Sequence, residues 1–308
     1  MEIIHGFKEI KRYPRPVVAI GVFDGVHAGH RRILRSCVAE ARRLRGTAMV
    51  LTFHPHPQKE QSIYSFEHRL AIMSGLGVKA CVVIPFNRRF AAMSAEDFII
   101  KVLCGKLGAR RIFVGNNFRF GRGLAGGTRT LRSFARRCGY AVRVFPTAKF
   151  AGRAVSSTRI RAAISRGKLS RAAAMLAGNV SVFGTVVGGR AVGRMLGFPT
   201  ANIDPHHEVL PPPGIYAVRA SVGKEWRPAV CYIGTRPTFA DGKGALVVEV
   251  HLFDFAADLY GKHMEVRFIA KIRGGKKFPT PGALAAQIKK DIAKAKKILS
   301  APRNTHNR

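Results

Sequence analysis

Short apolar runs alternate with helical stretches through the first half of the chain, and this alternation constrains the fold more than any other feature. Strands are expected near Val17–Val22, Ala48–Phe53, Ala80–Pro85, Arg111–Val114 and Ala141–Phe145. Helical periodicity falls between them, near His30–Arg45, Phe66–Leu76, Ala95–Leu107 and Arg129–Arg137, with Ser65, Ser94 and Thr128 placed as N-caps. Such alternation builds a parallel sheet with crossover helices. Ligands of these sheets sit beyond the carboxyl ends of the strands, where His27, His30, His54, His56 and Asn117 fall.

From Ser181 the pattern turns β-rich, with runs at Val182–Val187, Ile215–Val222, Pro228–Ile233, Ala245–Phe253 and Met264–Ile272 and turn signals at Gly223-Lys224 and Asp241-Gly242. Regular spacing without intervening helices predicts an antiparallel barrel. A last helix follows, with Thr280 as N-cap, Pro281 at its first position and an apolar stripe of Leu284, Ile288, Ile292 and Ala295. The expected fold class is thus α/β plus all-β. A Rossmann-like domain with a parallel sheet would occupy residues 1–178, a β-barrel with a terminal helix 179–300, and a frayed basic tail 301–308. A length of 308 residues also favours two domains over one core.

Composition narrows the function. No apolar run approaches the roughly eighteen residues of a membrane span, and MEIIHGFKEIKRYPRP lacks a continuous apolar signal core, so a cytoplasmic location is expected. Five cysteines without C-x-x-C spacing argue against a disulfide framework or a zinc site, and Cys37, Cys81, Cys104 and Cys231 sit in apolar runs as expected core residues. The net charge of +36, from 53 Lys and Arg against 17 Asp and Glu, raises nucleic acid as a partner. The basic residues are spread over the whole length, however, and aromatics are not interleaved with them as a stacking platform requires. A solvated surface with weak, salt-sensitive polyanion binding is the expectation, with no specific nucleic acid.

The stretch Gly21–His30, GVFDGVHAGH, follows the apolar run Pro16-Val17-Val18-Ala19-Ile20 and opens a helix. A buried strand thereby delivers two imidazoles, His27 and His30, to a glycine-rich turn at a helix N-terminus. Free backbone N–H groups and the positive end of the helix dipole suit that turn to an anion, phosphate above all. Imidazoles placed there can donate hydrogen bonds to phosphoryl oxygens as charge builds during transfer.

His-x-Gly-His on such a turn resembles the nucleotidyltransferase superfamily. VLTFHPHP at Val50–Pro57, VGNNFRFG at Val114–Gly121 and VSSTRIR at Val155–Arg161 resemble, in this order, the FMN adenylyltransferase module of bacterial bifunctional riboflavin kinase/FAD synthetases. GRMLGFPTAN at Gly193–Asn202, GIYAV at Gly214–Val218, IGTRPTF at Ile233–Phe239 and VEVHLFDFAADLYGK at Val248–Lys262 resemble the kinase module. The resemblance spans nearly the whole chain. It implies ATP-dependent phosphorylation of riboflavin to FMN, then adenylylation of FMN to FAD with release of pyrophosphate, with Mg2+ serving both reactions. The absence of a KMSKS-like lysine loop and the short chain count against tRNA aminoacylation.

By this resemblance His27 and His30 contact the ATP phosphates and stabilise the transition state, with Gly21, Phe23, Asp24 and Gly29 shaping the turn. Asp24 stands either near the metal and phosphates or as a cap of the turn. Ser156, Ser157 and Thr158 can grip the β- and γ-phosphates or act as ordinary caps, with Arg161 one turn on as a neutralising guanidinium. Asn117 is assigned to the nucleotide or FMN phosphate region, Phe118 and Phe120 to flavin or core, and His56 to a ligand contact in a rigid HPHP loop. In the kinase module Gly193, Arg194 and Gly197 form a phosphate-proximal loop, Thr200 and Asn202 coordinate magnesium and ATP, and Glu249 is the general base. Arg273 and Phe278 match a flavin-contacting flap.

Several positions depart from the family pattern: Gly275, Gly127 and His54 stand where acidic residues are common, and Tyr232 where Asn is. None removes a residue assigned to chemistry. The alternatives to the bifunctional reading are a chain in which one activity is lost and a basic nucleic-acid-binding protein on this scaffold.

Overall fold

A computed structural model of the protein describes residues 1–55, 61–189, 192–206, 208–235 and 246–301, with the backbone alone for Val192, Arg194 and Thr235. His56, the Asp241-Gly242 turn, tail residues 302–308 and the Arg194 side chain lie outside what is described. Contacts divide the chain into two units, Met1–Glu60 with Phe66–Ser157, and Gln61–Ser65 with Thr158–Arg308. No helix among the described residues is long and apolar enough to cross a membrane.

The first unit holds β1 (Glu2–His5), β2 (Val17–Ile20), β3 (Ala48–His54), β4 (Ala80–Pro85), β5 (Arg111–Gly115) and β6 (Ala141–Phe145) in one sheet ordered β1-β4-β3-β2-β5-β6. Every pairing is parallel. All four residues of β2 are buried, because crossover helices cover both faces of a parallel sheet. The period of two then splits its side chains: Val18 and Ile20 join Met49 and Leu51 in one core, while Val17 and Ala19 join Val50 and Phe113 in the other.

The helices of this unit are α1 (Ala28–Arg43), α2 (Phe66–Gly75), α3 (Arg88–Ala91), α4 (Ala95–Asp97), which runs on as π-type helix through Phe98–Lys106, and α5 (Thr128–Cys138). Helix α1 buries Ile33, Leu34, Cys37, Val38 and Ala41, one face at helical spacing. Ser94 caps α4 by accepting from the Asp97 amide at 3.0 Å. Thr128 does not cap α5 as expected. It is the first residue of the helix, Gly127 is the N-cap, and the Gly127 amide donates to Thr130 Oγ1 at 3.3 Å. Gly127, one of the departures from the family pattern, has no side chain to accept an N-terminal amide, so Thr130 makes the one side-chain contact.

A two-stranded pair, β7 (Lys149–Phe150) and β8 (Arg153–Ala154), leads to α6 (Ser157–Ser165) and α7 (Leu169–Leu176). The second unit then closes a six-stranded barrel from β9 (Ser181–Val187), β10 (Ala201–Asp204), β11 (Gly214–Val222), β12 (Glu225–Thr235), β13 (Leu246–Leu252) and β14 (His263–Arg273), preceded at β10 by the short α8 (Val192–Met195). Strand order is β10-β13-β12-β11-β14-β9 and every ladder is antiparallel. Val248, Val250 and Leu252 fill the interior with Tyr216, Cys231 and Phe268, while Val247, Glu249 and His251 alternate away from it. Helix α9 (Pro281–Ser300) packs Ala295 and Ile292 against Ala217, Val230 and Ile272 on the outside of the wall. Thr280 Oγ1 caps it, accepting from the Ala283 amide, and Pro281 opens it as expected.

A buried carboxylate ties the two stretches of the second unit together. Glu208, 2% exposed, accepts from the Ser65 amide at 2.8 Å and the Phe183 amide at 3.1 Å. The Val209 amide donates to the Ser62 carbonyl, and Ile63 and Tyr64 are buried completely or nearly so.

Candidate active sites

Strand β2 ends at Ile20, and the chain turns through a 3-10 segment, Asp24–Val26, into α1. Phe23 and Val26 hold positive φ values of 56° and 37°, and Phe23 and Asp24 are buried. Non-glycine residues in that region are uncommon and concentrate at functional sites. The imidazoles of His27 and His30 stack 3.6 Å apart with 18° between planes, and Phe23 meets His30 edge-on at 5.2 Å. Burial holds the His27 pKa down to about 4 against the opposing pull of Asp24, and burial together with His27 and Arg69 holds His30 well below the ordinary histidine value. Both rings are neutral at physiological pH, each with one N–H to donate.

A cavity of about 760 Å3 opens in front of this turn. Gly21, Phe23, Asp24, His27, Gly29, His30, Asn117, Ser156 and Ser157, all identified in the sequence, line it together. Its apolar wall comes from Phe53, Phe86, Phe90, Phe98, Phe118 and Phe120, with Phe118 stacked on Phe120 at 5.3 Å. The histidine pair, Ser156 and Ser157 thus share one cavity with an aromatic surface. Asn116 Oδ1 accepts from Thr147 at 2.8 Å and steadies the strand end that presents Asn117. Thr158 and Arg161 stand in the first turns of α6, where Arg161 Nη2 donates to Thr158 Oγ1 at 3.4 Å. His54, at the end of β3, stacks on Phe66 at 4.5 Å.

Sequence reasoning missed Arg69. This guanidinium, 2% exposed, donates from Nη1 to the Val22 carbonyl at 2.7 Å and lies over the Phe66 ring, and its Nε has no partner among the described residues. It fixes the backbone of the turn from behind, and Asp24 opposes its charge. Only its polarity within a mostly apolar helical segment could have marked it.

In the second unit strand register brings the expected kinase residues together. Asn202 of β10 faces Glu249 of β13, and Glu249 faces Tyr232 of β12 on its other side. Asn202 is 8% exposed, and a Cβ on Gly189 would lie 2.0 Å from its Nδ2, so a larger residue there would have to displace the Asn202 side chain. Gly193 is equally constrained: a Cβ would lie 2.4 Å from the Phe198 carbonyl oxygen and 3.3 Å from Thr200 Oγ1. Gly197 turns that loop at φ +84°. Thr200 lines a second cavity, of about 550 Å3, with Val186, Leu252, Phe255 and Leu259.

Arg273 is held by a partner absent from the sequence reading. Its guanidinium pairs with Asp291 of α9, Nε at 3.0 Å from both oxygens and Nη2 at 2.8 Å from one, and it lies 5.6 Å from the Phe278 ring centre. Gln287 adds a bond to the same carboxylate. The arginine is pinned to the helix while its face carries the aromatic ring. Gly275, between them in sequence, is exposed with open space around it. All five cysteines are free; Cys37, Cys81 and Cys231 are buried, Cys104 and Cys138 only partly so.

Two family models and several curated relatives match the chain. Residues 10–159 match the FAD synthetase family and residues 176–299 the riboflavin kinase family. The chain is 35% identical to the bifunctional riboflavin kinase/FMN adenylyltransferase of Escherichia coli (strain K12), over 97% of this chain and 98% of that one. It is 34% identical to the protein of the same description from Pseudomonas fluorescens, over 98% and 99%. A crystal structure described as a macrolide-efflux protein from Streptococcus pneumoniae superposes with a TM-score of 0.81 at 27% identity, covering 96% of this chain and 99% of that one. On full-length identity and on the matches to both modules, the chain belongs to the bifunctional riboflavin kinase/FMN adenylyltransferase family.

Proposed function

We propose that the chain phosphorylates riboflavin at the outer face of the barrel around Glu249 and adenylylates the resulting FMN in the cavity in front of His27 and His30. The observation that carries the second assignment is the neutral, stacked histidine pair at the N-terminus of α1, facing an aromatic wall across one cavity. We place the catalytic division near residue 178, supported by the two family matches, and both reactions in the cytoplasm, where free cysteines stay reduced.

For adenylyl transfer an FMN phosphate oxygen attacks the α-phosphorus of ATP and pyrophosphate leaves. No proton has to be removed from the nucleophile, so the work is alignment and charge stabilisation. His27 and His30 donate N–H groups to the phosphoryl oxygens, and the amides at the start of α1 add their dipole. Ser156, Ser157, Thr158 and Arg161 hold the departing pyrophosphate. Asn117 orients the FMN phosphate, and Phe118 with its neighbours holds the ring.

For the kinase reaction the Glu249 carboxylate takes the proton of the terminal ribityl hydroxyl as its oxygen bonds to the γ-phosphorus and ADP leaves. Thr200 and Asn202 offer neutral oxygen donors beside that base, which suits a hard cation whose other ligands are phosphate oxygens. No group of three His, Cys, Asp or Glu side chains among the described residues could hold a metal ion. Held by Thr200 and Asn202, magnesium would supply charge neutralisation at the phosphates. Gly193, Gly197 and Arg194 form the loop next to the phosphates, and Arg273 presents Phe278 to the flavin.

Incubating the protein with riboflavin, ATP and magnesium and separating the flavins tests the proposal. FMN followed by FAD is expected. FMN alone, FAD only from supplied FMN, or neither product would reject it in part or whole.

A further inference from the structure

We propose that His251 is a positioning residue of the riboflavin kinase site, holding the segment that carries Thr200 against the barrel wall. The inference rests on the assignment of Thr200, Asn202 and Glu249 to that site. His251 lies two residues beyond Glu249 on β13, so both leave the strand on the same face. Register pairs Glu249 with Asn202 and Val250 with Ala201, and His251 follows next along β13. The segment leading into β10 thus lies along one face of β13 that carries two polar residues, Glu249 and His251.

The contact is specific. His251 Nδ1 lies 2.8 Å from the Pro199 carbonyl oxygen, the residue before Thr200. A carbonyl only accepts, so Nδ1 carries the proton and donates. The ring is wedged between Phe198, edge-on at 5.9 Å, and Phe253, tilted at 6.0 Å. Pro199 has no N–H of its own to pair with the neighbouring strand. The Phe198 amide donates back to the Gly193 carbonyl at 2.7 Å and closes the glycine loop on itself. His251 is thereby the side chain that joins the closed loop to the strand bearing the base. Its half-buried position makes it a tolerant site for substitution.

Asparagine reproduces a donor at the place of Nδ1, whereas glutamine places its donor near Nε2, so the pair separates positioning from bulk. Kinase kinetics of the full chain are measured with magnesium-ATP varied at saturating riboflavin for His251→Ala, His251→Asn, His251→Gln and Thr200→Val, with thermal midpoints and FAD formation from supplied FMN alongside. His251→Ala and His251→Gln should raise the KM for magnesium-ATP roughly threefold to tenfold, the scale of one hydrogen bond. His251→Asn should return to within about twofold of the parent, and FAD formation should not change. Parent-like kinetics for His251→Ala beside an impaired Thr200→Val would overturn the inference alone, as would an Asn variant no better than Gln. A neutral Thr200→Val would overturn the assignment of Thr200 and, with it, what His251 positions.

Discussion

His27 and His30 stack with their ring centres 3.6 Å apart, and the Nδ1 atom of each is buried without a hydrogen-bond partner among the described residues. Two cations could not share that spacing away from water. The stack therefore adds to burial in favouring neutral rings, the state that the proposed role as donors to phosphoryl oxygens requires.

Removing one ring tests the division of labour. His30→Ala should abolish FAD formation while FMN formation stays nearly at the parent level, because the two chemistries rest on separate cores. Separated flavin products read both rates in one experiment. Equal loss of both activities in a folded variant would show that the sites are coupled.

Glu249→Gln should do the reverse, since the amide is nearly isosteric but takes no ribityl proton, and a lost base costs about a hundredfold to ten-thousandfold. FAD synthesis from supplied FMN should survive. A kinase rate within a few-fold of the parent would remove Glu249 from the role of base.

The histidine pair also fixes a pH dependence. Imidazole signals of His27 and His30 followed by NMR should not titrate between about pH 6 and 8. The folded chain holds His27 down to about 4 and His30 well below the ordinary histidine value, whereas unfolded histidines protonate at about 6.5. Below that value the unfolded state binds protons that the folded state refuses, so stability from this pair falls as pH drops from about 6.5 toward 4. Replacing both by Gln should flatten that part of the stability curve.

Asp291→Ala should strand the Arg273 guanidinium. The pair is partly buried, with side-chain exposures of 23% and 6%, so a loss on the order of 2–3 kcal/mol is expected, below that of a fully buried pair. Riboflavin KM should rise as Phe278 loses its platform. Denaturant unfolding and kinase kinetics measure the two effects, and an unchanged KM would confine Arg273 to a structural part.

The charge of +36 should give weak, non-selective binding of nucleic acid that collapses between low and physiological salt as counterion release loses its advantage. Catalysis should depend on salt far less, because short-range hydrogen bonds hold the ATP phosphates. Labelled duplex DNA and structured RNA titrated at several salt concentrations would expose any tight, sequence-selective binding.

How far the sequence alone reached depended on the length scale of each signal. Buried strands such as Ala80–Pro85 and helices such as the one expected near Phe66–Leu76 carry enough residues to be read, and the structure has β4 at Ala80–Pro85 and α2 at Phe66–Gly75. The four-residue β1 and β10 are too short for periodicity, so Asn202 was assigned from its motif alone, without a strand. His27 and His30 were visible because strand, turn and helix are consecutive. Arg69 and Asp291 were not, because each serves residues distant in sequence, and a lone charge in a helical segment reads first as solvated surface.

The Glu208 carboxylate gives the barrel unit a long memory of the chain's order. Its donors include the Ser65 amide, and that segment leaves the ribosome well before the first barrel strand exists. Ile63 and Tyr64, buried in the same early segment, group with the barrel unit, and a fragment starting at Thr158 would lack them and leave Glu208 short of one donor. Synthesis thus sets aside an early stretch of chain for a unit whose strands come late, because Gln61–Ser65 belongs with Thr158–Arg308.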